Sequence, residues 1–224
     1  MECIKACLIL DGGTNGVEKL KIFFDKSTAS IADYEFEFNW EFGQFRTPLT
    51  QYAKGAFPWV LDNGAYSEFH KDRFVRMMVD AIEDDGCLWV VVPDVVGNHD
   101  ATLERFDSWV KEYPDILKKA AFVAQDGAQI PLIPWEDITC LFIGGTDSFK
   151  DGVYAYQLAV EAKRRGKWVH VGRVNSTPRL VNWFGIADSI DGSGISKYTW
   201  MRKRIVHDLK VLHQYHQSSL EDWA

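Results

Sequence analysis

"CLWVVVPD", residues 87–94, runs six apolar residues into a proline and an acid. A run this short, continuous and valine-rich fits a strand buried on both faces, and such strands belong to parallel sheets covered by helices. Pro93 and Asp94 stop it and leave a carboxylate at its end. The pattern recurs along the chain. "CLIL" (7–10) ends in Asp11-Gly12-Gly13, and "WVL" (59–61) ends in Asp62-Asn63-Gly64. "AAFVA" (120–124) ends in Gln125-Asp126, and "CLFI" (140–143) in Gly144-Gly145. "WVHV" (168–171) ends in Gly172-Arg173, and "ADSI" (187–190) in Asp191-Gly192.

Helical periodicity fills the gaps. Residues 71–85 place Phe74, Met77, Met78, Ala81 and Ile82 on one face, and residues 99–113 do so with Leu103, Phe106, Trp109 and Val110. Residues 154–166 run through basic residues to a glycine stop, and 199–217 form a long amphipathic stretch. Seven or eight strand–helix units in 224 residues predict a compact (β/α)8 barrel, a single α/β domain over residues 1–224. "YEFEFNWEF" (34–42) alternates aromatic and polar residues and reads as the eighth strand or as a hairpin beside the barrel. The competing architecture is an open doubly wound sheet. "DGGTNG" (11–16) offers it little support, lacking the Lys-Ser/Thr of a phosphate loop and fitting the dinucleotide fingerprint poorly.

A composition 46% apolar supplies a full core, and no apolar stretch is long enough to span a membrane. The first apolar run is too short for a secretion signal. Cys3, Cys7, Cys87 and Cys140 have no paired metal spacing and read as reduced thiols of a cytoplasmic protein, the last two as packing residues. The net charge of −7 argues mildly against nucleic acid, but binders use local patches. One patch holds Lys163, Arg164, Arg165 and Lys167. A second holds Lys197, Arg202, Lys203, Arg204 and Lys210 and directly follows the two-acid stretch "FGIADSIDGSGISKY" (184–198). His207, His213 and His216 read as a solvated or partly buried helix face rather than a metal site.

In a parallel barrel, functional residues sit where strands end. Here those ends carry Asp62, Asp94, Gln125, Gly144, Gly145, Gly172-Arg173 and the Asp188/Asp191 pair. Each alone is ordinary turn or cap chemistry. Together they make a ring of carboxylates, a carboxamide and bare backbone, suited to the edge of a planar heterocycle and to an electrophilic sugar carbon.

The order "LDNGAYSEF … VVPDVV … FVAQDG … LFIGGT … HVGRVN … ADSIDGS" resembles the tRNA-guanine transglycosylase superfamily over residues 57–197. That family is a (β/α)8 barrel that exchanges guanine in a polynucleotide for a 7-deazaguanine. The resemblance implies a role for each matched residue. Asp191 is the nucleophile, Asp62 the acid/base, and Tyr66 a ring stacking on the base. Asp94 binds the purine's amide edge, Gln125 its carbonyl, and Gly144 and Gly145 contact the base through backbone. Asp188 is the upstream acid of the nucleophile motif.

Two departures shape the expectation. No cysteine follows Cys140, so the three-Cys, one-His zinc subdomain of the tRNA enzymes is absent. The nucleophile loop also lacks their Thr-Arg. The chain is more similar to the zinc-free phage and bacterial branch that modifies DNA. The implied partners are DNA (RNA being the alternative) and a free base such as 7-cyano-7-deazaguanine, with no cofactor, no metal and no membrane. Lys197, Arg202, Lys203 and Arg204 are expected to contact phosphates. The alternatives are a tRNA-type enzyme, a hydrolytic N-glycosidase and a non-catalytic nucleic-acid-binding barrel.

Overall fold

The structure, a computed structural model, describes residues 19–221 apart from Gln51 and Tyr66. Eight parallel strands close in sequence order: β1 Lys21–Phe24, β2 Phe42–Arg46, β3 Trp59–Leu61, β4 Cys87–Val91, β5 Ala120–Ala124, β6 Cys140–Ile143, β7 Trp168–Val171 and β8 Ser189–Asp191. The seam joins β8 to β1, with Phe23 opposite Asp191. The helices are α1 Thr28–Phe38, α2 Lys71–Glu83, α3 His99–Glu112, α4 Asp147–Lys150, α5 Val153–Arg164, α6 Thr177–Trp183, α7 Ser193–Lys197 and α8 Thr199–Glu221.

Alternation along the strands builds two cores. Outward residues such as Ile22, Leu61, Val90, Leu141, Val169 and Ile190 pack under the helices. Inward residues such as Phe23, Phe45, Val60, Trp89, Val91 and Val123 fill the barrel, with Phe142 and Trp168 packed against them. Cys87 and Cys140 are free, buried thiols. Burial pushes Cys87 up to about 12, which suits packing rather than reactivity.

The structure corrects the sequence reading at the first two strands. "CLIL" lies outside the described residues. "KIFF" and "FGQFR" take the first two places in the barrel, neither expected from the sequence. "YEFEFNWEF" is no hairpin: it is the second half of α1 and the start of β2. Ser27 starts that helix by accepting the Ser30 N–H, and Asn39, at φ 45°, ends it in the left-handed region. Ile31, Tyr34 and Phe38 form its inner face, and Phe36 points to solvent. The aromatic alternation belongs to a helix.

Among the described residues no helix joins β2 to β3. Leu49, Thr50 and Tyr52 of the connecting loop line the barrel mouth, and the loop is tied to the outer side of β2 by the Gln44 amide, which donates to the carbonyls of Lys26 and Ala53, and by Arg46 Nε, which donates to the Tyr52 carbonyl. Among the described residues, no helix is long and apolar enough to cross a membrane.

Candidate active site at the C-terminal mouth of the barrel

One cavity of about 570 Å³ opens where the strands end, and Asp62, Asp94, Gln125, Gly144, Gly145, Asp191 and Lys197 all line it. A volume of this size suits a nucleoside-sized ligand. Its walls form two groups.

The first group comes from β3, β4 and β5. Asp94 is buried, and each of its carboxylate oxygens accepts an amide N–H: Asn63 Nδ2 at 2.8 Å and Gln125 Nε2 at 2.6 Å. Gln125 Oε1 accepts from Gly97 N at 2.8 Å. The carboxamide is thus fixed on both sides and keeps one amide hydrogen for a ligand. Burial raises the Asp94 carboxyl against these two hydrogen bonds. Beside it, Asp62 accepts the Gly64 N–H at 3.1 Å. Desolvation, then the neighbouring Asp94 and Asp191 charges, push Asp62 up to about 7. An aspartic acid in that range gives and takes a proton near neutrality.

The second group comes from β7 and β8. Asp191 Oδ1 accepts the Arg173 N–H at 3.0 Å, and Oδ2 lies 3.0 Å from His170 Nε2. His170 is fully buried among Phe142, Trp89, Phe45 and Phe23. Its Nδ1 lies 2.8 Å from Ser189 Oγ, which accepts the Trp168 indole N–H at 2.7 Å. With Asp191 ionised, one assignment satisfies every atom: Trp168 donates to Ser189, Ser189 to His170 Nδ1, and His170 Nε2–H to Asp191. This chain aims the carboxylate at the cavity.

Gly144 and Gly145 are required by close approach. A Cβ on Gly144 would lie 2.6 Å from Val123 Cγ1, and one on Gly145, which has φ +73°, would meet Asp126 Oδ2 and Phe149 Cδ1 at 2.7 Å.

The structure moves several expected residues out of the site. Asp188 precedes β8 and sits at the opposite end of that strand from Asp191, where it accepts from Lys163 Nζ at 2.5 Å and from Val169 N at 2.7 Å. It pins the bottom of the barrel. Arg202 is buried, stacked 3.9 Å over the Tyr34 ring, and donates to Ile195 O at 3.0 Å. It ties α7 to α8 and presents nothing to a phosphate. Lys203 pairs with Glu37, and Arg204 bonds Thr177 and faces Asp208; neither lines the cavity. Of that basic patch only Lys197 reaches the mouth. Tyr66 lies outside the described residues.

Asp25, Lys150 and His170 were not expected at the site, and Arg173 was expected only as one of the strand-end residues. Asp25 ends β1, accepts from Thr50 Oγ1 at 2.8 Å, and burial raises it. "KIFFD" has the same apolar-run-then-acid signature as the other strand ends. Lys150 and Arg173 line the cavity after β6 and β7. His170 lies beneath it, and a lone polar residue at an inward strand position was its signal. Among the described residues no group of three or more His, Cys, Asp or Glu is arranged to hold a metal.

Together these features define a (β/α)8 barrel with a cavity that carries charged and amide side chains among apolar ones, at the end where enzymes of this fold keep their active sites. No protein-family model matches the chain, and no curated protein is significantly similar to it. Among solved structures, tryptophan synthase from M. tuberculosis, in an aminoacrylate- and BRD0059-bound form, is similar at 13% identity and a TM-score of 0.50. The match covers 87% of this chain and 92% of that one. Likeness at this identity shows the barrel alone.

Proposed function

We infer that this chain is a guanine transglycosylase that exchanges guanine in a polynucleotide, DNA by preference, for a 7-deazaguanine. One observation carries the reading. An aspartate fixed by two N–H donors, Asp191, and an aspartic acid near pH 7, Asp62, share a cavity with a carboxylate–carboxamide cluster able to hold a purine edge.

Asp191 Oδ attacks the anomeric carbon as the bond to the guanine nitrogen breaks. Asp62 supplies the proton that guanine takes away. The sugar remains as an ester on Asp191, so one hard displacement becomes two. The incoming deazaguanine gives its ring N–H proton to Asp62 and attacks the same carbon, releasing the Asp191 carboxylate. Two inversions give net retention. Every proton and bond balances between the two bases, so no cofactor enters the exchange.

Asp94 accepts from the purine N–H groups, and the remaining Gln125 amide hydrogen donates to the purine carbonyl. Reaching this depth requires the guanine to leave its stack, at about a few kcal/mol. Directly after Lys197 in the chain, the Tyr198 and Trp200 rings are exposed and stacked, 6.5 Å apart at 28°. Such a pair suits unstacked neighbouring bases.

The test is nucleoside mass spectrometry of DNA and tRNA from cells making the wild-type protein or Asp191→Asn. A 7-deazaguanine nucleoside in DNA, present only with wild type, is the expected result. The same nucleoside in tRNA alone would assign the tRNA-type reaction, and abasic sites without a new nucleoside would assign hydrolysis.

A further inference from the structure

Three cationic residues, Lys150, Arg173 and Lys197, line the cavity after β6, β7 and β8, on the side that also carries Asp191; Asp25, Lys26, Asp62 and Asp94 line it after β1, β3 and β4. We propose that Lys150, Arg173 and Lys197 form a phosphate subsite, which holds the phosphate ester of the nucleotide whose sugar faces Asp191. The assignment of the nucleotide rests on the transglycosylase reading; the phosphate chemistry does not.

Lys150 is the anchor. Its side chain is 1% exposed, yet it lines the cavity. Its acidic neighbour, Asp147, lies 3.5 Å away and is 62% exposed. Asp147 also receives Arg179 at 3.2 Å, so its charge is divided between two cations. Burial lowers Lys150, and the Arg173 charge lowers it further, against the opposing influence of Asp147 and, more weakly, of Asp191. A buried ammonium with two cations beside it is costly, and a further anion in the cavity would relieve it.

Arg173 points the same way for a different reason. Its backbone is left-handed, at φ 62°, a conformation that a non-glycine residue rarely holds without being forced. Two contacts force it: its N–H donates to Asp191 Oδ1 at 3.0 Å, and its carbonyl accepts from Arg179 Nη1 at 3.3 Å. The turn that holds the Asp191 carboxylate therefore also places Arg173 in the cavity lining. Lys197 and the Ser193 and Ser196 residues complete this wall. Ammonium, guanidinium and hydroxyl groups are the donors that a phosphate takes. Loops after the seventh and eighth strands are a common place for such a site in parallel barrels. The subsite also replaces the phosphate-binding role expected of α8, whose Arg202 is buried.

Isothermal titration tests this with four probes: inorganic phosphate, 2′-deoxyguanosine, its 5′-monophosphate, and the trinucleotide d(TGT). Each is titrated into wild type, Lys150→Gln and Lys197→Gln. A phosphate-bearing guanine probe should bind wild type about tenfold tighter or more than deoxyguanosine, and Lys150→Gln should remove most of that advantage without changing deoxyguanosine binding. Lys197→Gln, an exposed position that cannot compromise folding, should produce a smaller loss in the same direction. A gain confined to the trinucleotide identifies a chain diester, and one shared with the monophosphate a terminal phosphate. Equal binding of all guanine probes to wild type, or equal weakening of every probe by Lys150→Gln, would overturn the subsite. If deoxyguanosine fails to bind while inorganic phosphate binds in a Lys150-dependent way, the transglycosylase reading falls and the subsite stands.

Discussion

Asp62 and Asp191 end two strands at the same mouth, yet the barrel surrounds them differently. Around Asp62 the dominant influences are burial and two other carboxylates, and its proton is held to about pH 7. Around Asp191 there are two N–H groups, one from the strained Arg173 turn and one from a histidine braced through Ser189 to Trp168. One environment stores a proton and the other steadies and aims a carboxylate. The difference teaches that a division of labour between identical side chains is set by their neighbours, not by the residue type that a sequence displays.

Removing the aimed carboxylate should have the largest effect. Asp191→Asn keeps the shape of the side chain, and base exchange should fall below detection while the melting temperature changes little. Next comes the stored proton. Asp62→Asn should slow exchange by about 10²–10⁴-fold, measured as incorporation of labelled base. The same variant has a second signature. The folded state binds the Asp62 proton more tightly than the unfolded chain, so the native state loses stability as pH rises from about 4 to about 7. Asp62→Asn should remove that loss and unfold later in urea at pH 8, by up to about 4 kcal/mol, with little change near pH 3. A urea midpoint unchanged at pH 8 would mean that the folded chain does not hold the Asp62 proton above the ordinary carboxylate range.

The brace behind Asp191 sharpens the contrast. His170→Phe fits the aromatic surroundings but deletes the donor. A hydrogen bond to a charged group is worth about 1.5–3 kcal/mol, so kcat should drop about ten- to a hundredfold with KM little changed. His170→Gln, which retains a donor, should recover part of the loss. A purely structural role would lower protein yield and leave kcat intact. The smallest effect belongs to Asp188→Asn. It loosens the pairing with Lys163 at the bottom of the barrel and should cost about 1 kcal/mol of stability or less, with exchange unchanged.

The sequence displayed β3 to β8 and their terminal residues because a parallel strand buried on both faces writes a continuous apolar run, and the next residue falls at the mouth. β2 broke the rule for visible reasons. Gly43 is there because the Phe23 ring occupies the place of a side chain, and Gln44 is buried to hold the β2–β3 loop. Neither residue looks like a core strand. α1 misled because its aromatics alternate by two while the inward set, Ile31, Tyr34 and Phe38, follows helical spacing. The basic patch misled by charge alone. Arg202, Ile205, Val206 and Leu209 share the inward face of α8, so position along the helix already separated Arg202 from the surface. Asp188 was read with Asp191 because they are three residues apart, but the strand between them puts them at opposite ends. The His170 network and the Lys150 wall depend on which strands become neighbours, which local sequence does not encode.

The central claim is that Asp191 carries the sugar. The direct measurement is to incubate the protein with guanine-containing single-stranded DNA, denature it, and locate any protein–DNA adduct by mass spectrometry of peptides. Wild type should yield an adduct on the peptide bearing Asp191, which added 7-deazaguanine base discharges, and Asp191→Asn should yield none. An adduct that persists in Asp191→Asn, or that maps to Asp62 or any other residue, would contradict the account.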